Sequence, residues 1–512
     1  MISRKKFLAT SATASLVLTQ GLSAEKSENE KTNVVIIHVD DLGWRDLACM
    51  GSKVYETPHI DKLAKNGMMF TSAYAAASIC TPSRACMLTG SQPSRHGVYT
   101  VVRNRGKKTN WKVTPLKNNQ FLPKKYPTIA TVLNKSGIKS GAIGKWHLSL
   151  HPQQYGFDEA KWGGYLGLPI NYFSPFALPF LPKDVKKGEY LPEYIRKSGV
   201  EFIEKHKDEH FFLYYSTYLP HDEIKNEGED STLDAPAKIV EKYKKKMETM
   251  KKAGQDLLGH DNPVYAAMIE ETDRSVGVII DKLEELKLSE KTLVLFISDN
   301  GGLSKYTSQL PLRGEKCTLY EGGIRVPMIA LQPGKIKKNI VSDEPVSGID
   351  FYPTICNLMG VEATDKKLVD GEDLSQLLYK GESLGERNLF WNFPVYNRPS
   401  DISKCPRSVM RRGKWKIHHR YEDNGYELYD LENDIGESEN LVAKQPKVFE
   451  MMKKELLKTY HRFEAVSSLP DNAKYDAKAT SALRFKEVKK VQPKKKSATS
   501  YFKEINLKLN SI

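Results

Sequence analysis

The chain is predicted to be an α/β protein: a large, mixed, mostly parallel sheet sandwiched by helices, with a smaller C-terminal α+β domain built on an antiparallel sheet. Three observations carry this. Continuous short apolar runs, Asn33–Val39, Phe211–Tyr215 and Thr292–Ile297, read as strands buried on both faces. Helical stretches alternate with them, as crossovers between parallel strands do. From Leu389 the pattern changes to short alternating segments with tight turns and one helix.

At 512 residues, two domains are the natural expectation. We place a leader over residues 1–24, the large domain over 25–385, the small one over 386–465 and a basic tail over 466–512. Met1–Ala24 has Arg4-Lys5-Lys6, an apolar stretch around Ala12–Leu18 and then Leu22-Ser23-Ala24, the layout of a secretory signal. Ser3–Leu8 also loosely resembles a twin-arginine signal, with Lys in place of one Arg. Secretion or a periplasmic location is therefore expected, and no later apolar run is long enough to span a bilayer. The cysteines (Cys49, Cys80, Cys86, Cys317, Cys356 and Cys405) lack C-x-x-C spacing, so neither a zinc site nor a disulfide framework is indicated. The net charge of +15 is largely local, in the Lys-rich run 242–252 and in the tail, and reads as solvated faces. No nucleic-acid module is recognisable.

Taken in order, the strand Asn33–Val39 runs into Asp40-Asp41-Leu42-Gly43. Adjacent carboxylates at the end of a buried strand are costly without a cation, which suggests a metal, although a solvated Asx turn also fits. A helix over Thr57–Asn66 stops at Gly67, and Met68–Phe70 is a short strand. Cys80 follows, with Pro82 and Arg84 opening a helix that ends at Gly90. A cysteine just ahead of a helix N-terminus, with an arginine one turn on, makes an anion pocket with sulfur at its mouth. A buried structural cysteine beside a cap fits that stretch as well. A helix over Thr128–Lys135 leads to the strand Ile138–Ile143, which delivers Lys145 and His147.

Residues 148–252 lose clear periodicity, apart from the strand Phe211–Tyr215 that leads to His221. A long amphipathic helix over Val264–Leu286 precedes Thr292–Ile297, which ends in Asp299-Asn300-Gly301-Gly302. Lys316, the strand Met328–Leu331 and a helix over Val346–Leu358 complete the large domain. The small domain has strands at Leu389–Phe393, Ser408–Met410, Trp415–His418 and Glu427–Tyr429, then a helix from about Pro446 to Ala465. Because ligands bind beyond the carboxyl ends of strands in open α/β sheets, a parallel sheet would gather Asp40, Asp41, Lys145, His147, His221, Asp299 and Asn300 at one edge. Hard oxygen donors without thiolates favour Ca²⁺ or Mg²⁺ over zinc.

Residues 33 to about 445 resemble the type I, formylglycine-dependent sulfatases of the alkaline phosphatase superfamily. The resemblance is carried by Asp40–Trp44, Thr57–Ala64, the C-x-P-S-R motif within Cys80–Gly90, Gly137–His147, Ser298–Gly302, Arg313–Lys316 and Glu321–Pro327. Gly413–Lys416 and Glu427–Leu431 look like the family's small domain. The resemblance implies that Cys80 is oxidised to formylglycine by a formylglycine-generating or anaerobic sulfatase-maturing enzyme, and that its hydrate attacks sulfur. It also implies one Ca²⁺ held by Asp40, Asp41, Asp299, Asn300 and the matured Cys80. Arg84, Lys145 and Lys316 would neutralise the sulfate oxygens, His221 would protonate the leaving alcohol, and His147 would deprotonate the second hydroxyl to expel sulfate. One departure stands out: the family often shows Pro-His-x-Pro where this chain reads Pro220-His221-Asp222-Glu223.

The expected activity is release of sulfate from a sulfate ester, with a sulfated carbohydrate as the expected substrate. A phosphate or phosphonate monoester hydrolase is the enzymatic alternative, and a non-catalytic sulfoglycan-binding protein the alternative if Cys80 is not matured. Tyr155, Trp162, Tyr172, Arg398, Arg407 and His418 are candidates for a sugar pocket, and His38, His59 and His96 are expected to be structural.

Overall fold

The computed structural model describes residues 32–477, apart from 102–107, 177–184, 224–231, 364 and 398–403. The expected leader and the basic residues beyond 477 lie outside the described residues, as does Arg398. The strands, in chain order, are β1 (Asn33–Val39), β2 (Met68–Phe70), β3 (Ala73–Tyr74), β4 (Lys139–Gly144), β5 (Glu159–Lys161), β6 (Phe211–Ser216) and β7 (Thr292–Ser298). They continue with β8 (Met328–Leu331), β9 (Ile340–Ser342), β10 (Val346–Ser347), β11 (Asn388–Phe393), β12 (Arg407–Arg412), β13 (Trp415–Arg420) and β14 (Gly425–Asp430). The large sheet has the order β5-β4-β6-β1-β7-β8-β2-β9. Strands β5, β4, β6, β1 and β7 are mutually parallel, and β8 turns antiparallel against β7 and β2. The sheet is mixed and mostly parallel, as expected.

The reason for the unbroken apolar runs is visible in β1. Val35, Ile37 and Val39 enter the core on one face of the sheet, and Val34 and Ile36 enter the core on the other. The first face is covered by the helices Pro58–Asn66, Leu191–Lys205, Ala237–Lys252 and Pro263–Glu285. The second is covered by Cys80–Thr89, Ile129–Lys135 and Phe351–Leu358. With both faces dry, alternation has nothing to select for.

Two helices lie in the segment where periodicity gave no element. Ala237–Lys252 buries only Tyr243, Met247 and Met250, one narrow stripe at i, i+4 and i+7 among solvated lysines. Leu191–Lys205 carries Pro192 in its first turn and packs Ile195, Phe202 and Ile203 inward. The helix expected over Val346–Leu358 starts later, at Phe351. Val346 and Ser347 pair with Ala73 and Tyr74 as β10 on β3. Ser347 N–H then donates to Asp350 Oδ2 (2.8 Å), and Arg387 clamps the same carboxylate, so this start is a side-chain-locked turn.

The C-terminal sheet, β11-β12-β13-β14, is antiparallel throughout. The helix Pro446–Arg462 buries Met452, Leu456 and Tyr460 against Phe390, Met410, Ile417 and Leu428. Its other face meets the large sheet's loops through buried charge. Lys416 Nζ bridges Glu321 Oε1 (2.8 Å) and Glu437 Oε1 (2.9 Å), and Arg325 holds Glu321 Oε2 (2.8 Å). Trp391 Nε1 donates to the Ala75 carbonyl (2.8 Å), and Arg313 Nη1 to Tyr429 Oη (3.1 Å). The start of the tail runs along residues 109–114, with Leu469 buried, Thr114 N–H on the Pro470 carbonyl and Asp476 N–H on the Thr109 carbonyl. All six cysteines are free, and among the described residues no helix is long and apolar enough to cross a membrane.

His38 and His96 are buried in the scaffold, whereas His59 is exposed on the helix Pro58–Asn66, and His96 gives a test of its structural role. Its Nδ1 accepts from Val98 N–H (3.1 Å), Nε2 lies 3.5 Å from Cys86 Sγ, and burial pushes its pKa down to about 3. An unfolded histidine titrates near ~6.5, so below that pH the unfolded chain binds a proton that the native one refuses. The contribution is fully present above that pH and falls by at most ~1.4 kcal/mol per unit as pH drops towards the folded value. Denaturant unfolding at stepped pH should show wild type losing stability faster than His96→Gln across this window; parallel curves would count against it.

Candidate active site

The four central parallel strands deliver the site. In register, His38 on β1 pairs with Ser216 on β6, Gly144 on β4 pairs with the same Ser216, and Val39 pairs with Ser298 on β7. The next residues therefore leave the sheet side by side: Asp40 and Asp41, Lys145 and His147, the turn to His221, and Asp299 with Asn300. Main-chain bonds extend the ladder into these turns, with Asp40 N–H on Leu219 O (3.2 Å), Lys145 N–H on Ser216 O (2.8 Å) and Asp299 N–H on Val39 O (3.0 Å). Asp41 (φ 58°) and His147 (φ 61°) both take left-handed backbone, a strain that persists only where the surroundings enforce it.

Cys80 opens the helix Cys80–Thr89, which closes on left-handed Gly90. Its Sγ lies 3.4 Å from Asp40 Oδ1 and 3.8 Å from Asp41 Oδ1. Arg84, one turn on, is fully buried. Its Nε and Nη2 grip Asp299 Oδ2 at 3.0 and 2.8 Å, and Nη1 is shared among the Lys145 carbonyl, Tyr214 Oη and Ser216 Oγ. The family resemblance implies that Arg84 helps to neutralise the sulfate oxygens. In the structure most of its donors are spent on the scaffold; Nη2 is ion-paired with Asp299 Oδ2 at 2.8 Å without hydrogen-bond geometry, and lies 3.8 Å from Asp40 Oδ1.

Lys145 Nζ is bonded to Asp40 Oδ2, and Lys316 Nζ to Asp41 Oδ2 at 2.6 Å. Lys316 belongs to a loop tied to this centre by its own N–H on Gly302 O and by Cys317 N–H on Ser78 O. Lys316 Nζ also lies 3.0 Å from His221 Nε2, which is 3.5 Å from Asp41 Oδ2. His147 sits under a tight loop: its N–H donates to Gly164 O, and a Cβ on Gly167 would stand 2.1 Å from its ring. Only glycine fits there.

The electrostatics follow from burial and partners. Burial, with Asp299 and Asp40 nearby, pushes the Cys80 thiol up, so the unmodified side chain stays neutral and a poor nucleophile. Burial raises Asp40 to about 6 against the pull of Lys145. For Asp299 burial is outweighed by Arg84 and Lys145, which hold it well below the usual range. The two imidazoles split. Burial, Lys145 and Arg84 drive His147 well below its ordinary value, whereas for His221 burial and Lys316 are outweighed by Asp41 and Asp40, which raise it.

The donor set fits a hard cation. Asp40, Asp41, Cys80 and His221 each offer an atom within 4.8 Å of the others. Asn300 Nδ2 donates to Asp41 Oδ1 (2.7 Å), and its Oδ1 is buried without a hydrogen-bond partner. Carboxylates plus an amide oxygen suit Ca²⁺ or Mg²⁺.

All ten sequence-derived site residues thus meet at one edge. Sequence reading missed Tyr214, Ser216 and Ser298, which bind site groups from inside strands, and Asp222 and Tyr306, which bear on His221. Nothing in a buried apolar run marks its tyrosine or serine as a ligand of a distant arginine. The sugar-pocket candidates are corrected: Tyr155, Trp162 and Tyr172 are buried as rings filling the core, and Arg407 and His418 are buried on β12 and β13, with His418 Nε2 3.0 Å from Glu437 Oε1. Tyr165, next to Gly164 over His147, is 45% exposed.

Fold and centre together fit an enzyme of α/β architecture that handles an anionic group beside a cation site. Known proteins narrow this. The Sulfatase family model matches residues 32–361, and the model described as N-sulphoglucosamine sulphohydrolase, C-terminal, matches residues 314–462. A "Sulfatase" of Formosa agariphila is 30% identical over 500 residues, covering 82% of this chain and 86% of its own. The N-acetylgalactosamine-6-sulfatase of Canis lupus familiaris is 30% identical, covering 80% and 76%. Among solved structures, Ps i-CgsB in complex with k-i-k-neocarrahexaose superposes with a TM-score of 0.69 at 26% identity, covering 89% and 97%. The chain belongs to the Sulfatase family, as a type I sulfatase of the alkaline phosphatase superfamily, and is a sulfuric ester hydrolase.

Proposed function

We propose that this sulfatase is exported to the periplasm or beyond the cell and releases inorganic sulfate from a sulfated carbohydrate, after a maturing enzyme has converted Cys80 to formylglycine. The observation that supports this best is the seat of Cys80: first residue of a helix, 3.4 Å from Asp40, inside a buried shell of Asp40, Asp41, Asp299, Arg84, Lys145 and Lys316. A neutral thiol among carboxylates is a poor reagent, and the matured residue would supply a hydrated aldehyde as nucleophile instead. Asp40, Asp41, Asp299 and Asn300 would hold Ca²⁺ beside it, which supplies charge to stabilise an ionised hydroxyl.

The remaining work falls to the chain's own groups. Lys145, Lys316 and Arg84 Nη2 neutralise the sulfate oxygens, whose charge grows towards the transition state. His221 gives its Nε2 proton to the leaving alcohol oxygen, and His147 takes a proton to release sulfate. Carbohydrate is favoured by the company the chain keeps, an N-acetylgalactosamine-6-sulfatase and a structure holding a neocarrahexaose, and by Tyr165, an exposed ring on the loop whose Gly164 carbonyl accepts from His147 N–H, on which a sugar could stack.

Matured enzyme should release sulfate, read by ion chromatography, from at least one member of a panel of sulfated galactose and hexosamine oligosaccharides. Release of phosphate from the matched phosphate esters, with no sulfate from any member, would overturn the reading.

A further inference from the structure

His221 sits where the sequence departs from the family pattern, and the two residues after it are not prolines or solvent-facing fillers. Asp222 and Glu223 are both buried. His221 Nδ1 lies 2.9 Å from Asp222 Oδ1 and 2.9 Å from the Asp222 carbonyl. Asp222 Oδ2 in turn accepts from Tyr306 Oη at 2.8 Å, and Tyr306 is buried shortly after the Asp299–Gly302 turn. The main chain of this turn is fixed from another side. Tyr172 Oη lies 2.8 Å from the carbonyls of both Tyr218 and His221, and Tyr172 N–H donates to Glu223 Oε2 at 2.5 Å.

An imidazole has two nitrogens, and a carboxylate on one decides what the other can do. Nδ1 hydrogen-bonds the Asp222 carbonyl with the carboxylate Oδ1 equally near, so Nε2 is turned towards the cluster, 3.0 Å from Lys316 Nζ and 3.5 Å from Asp41 Oδ2. A ring free to rotate about its Cβ–Cγ bond would lose that alignment, and proton donation depends steeply on it.

We propose that Asp222, clamped by Tyr306, is the positioning residue of His221: it fixes the ring through Nδ1 so that Nε2 presents its proton to the ester oxygen of the substrate. As the S–O bond to the alcohol breaks, its electron pair stays on oxygen and the Nε2 proton joins it. His221 is left neutral with Nδ1–H still on Asp222, and is reprotonated from water. The inference rests on the reading of His221 as proton donor, and the test separates the two.

Matured, Ca²⁺-loaded His221→Ala, Asp222→Asn, Asp222→Ala and Tyr306→Phe are compared on a sugar sulfate and on an activated aryl sulfate such as 4-nitrophenyl sulfate, whose phenolate leaves with little protonation. For His221→Ala, kcat should fall on the order of 10²- to 10⁴-fold on the sugar sulfate and far less on the aryl ester. The Asp222 variants should show the same selectivity at smaller size, and Tyr306→Phe a weaker version again, with KM nearly unchanged throughout. If His221→Ala is selective but the Asp222 and Tyr306 variants slow both substrates equally, the positioning role is wrong and these residues only support the fold. Equal penalties for His221→Ala itself would instead overturn the proton-donor reading beneath it. Should Asp222→Ala melt early, Tyr306→Phe removes a single hydroxyl and still decides the matter by its selectivity.

Discussion

Cys80→Ala is expected to abolish sulfate release while leaving the protein folded. The side chain is small and makes only long sulfur contacts to Asp40 and Asp41, so truncation should cost on the order of 1 kcal/mol. Its chemical loss is total, because no neighbour can substitute: the groups around it are carboxylates and protonated amines. The matching measurement on wild type is the mass of the Cys80 peptide, which should be about 18 Da below the thiol form after maturation. Sulfate release by Cys80→Ala above background would end the formylglycine mechanism for this chain. An unshifted wild-type peptide, with sulfated glycan bound but not turned over, would favour the non-catalytic binder.

Asp299→Asn should be costly in both stability and activity. Its Oδ2 neutralises the fully buried Arg84, and its Oδ1 accepts from Asp41 N–H at 3.2 Å. Removing one partner of such a pair leaves a charge in low dielectric, worth roughly 3–5 kcal/mol. The pH dependence has a definite sign. Burial alone would raise this carboxyl, but Arg84 and Lys145 hold it well below its ordinary value. The wild-type advantage is therefore complete above the unfolded carboxylate pKa of ~3.9 and is lost only as pH falls below it. Guanidinium midpoints at neutral pH should separate the two proteins widely. A near-isostable Asp299→Asn that retains turnover would remove Asp299 from both the ion pair and the proposed ligand set.

Much of the site was legible in the chain because its chemistry sits one to five residues beyond strands that are easy to read. Asp40, Lys145 and Asp299 each follow a run that can only be buried strand, and an ionisable group in that place needs a reason. Lys316 was legible through its motif, not through any strand. What stayed hidden obeys a different logic. Tyr214 and Ser216 lie inside β6, where they look like core, and only the three-dimensional position of Arg84 gives them a task. Ala237–Lys252 was hidden by its own solubility, since three buried side chains in sixteen residues leave almost no stripe. Val346 and Ser347 carried an apolar signal that fitted a helix, and pairing with Ala73 and Tyr74 overrode it. Tyr155 and Trp162 taught the converse: an aromatic residue in a loop-rich stretch is as apt to plug the interior as to greet a ligand.

The buried bridge from Lys416 to Glu321 and Glu437 has a consequence for how this protein can be cut and rearranged. Glu321 and Arg325 belong to the same stretch as Lys316, so the last sheet supplies counter-charges to the segment that carries a site lysine. The C-terminal portion is therefore not a detachable cassette. A chain stopped near residue 386 would leave Glu321 in the interior with Arg325 but without Lys416. A chimera borrowing β13 from a relative without a matching lysine would strand Glu321 and Glu437 together, and either change would loosen the segment that carries Lys316.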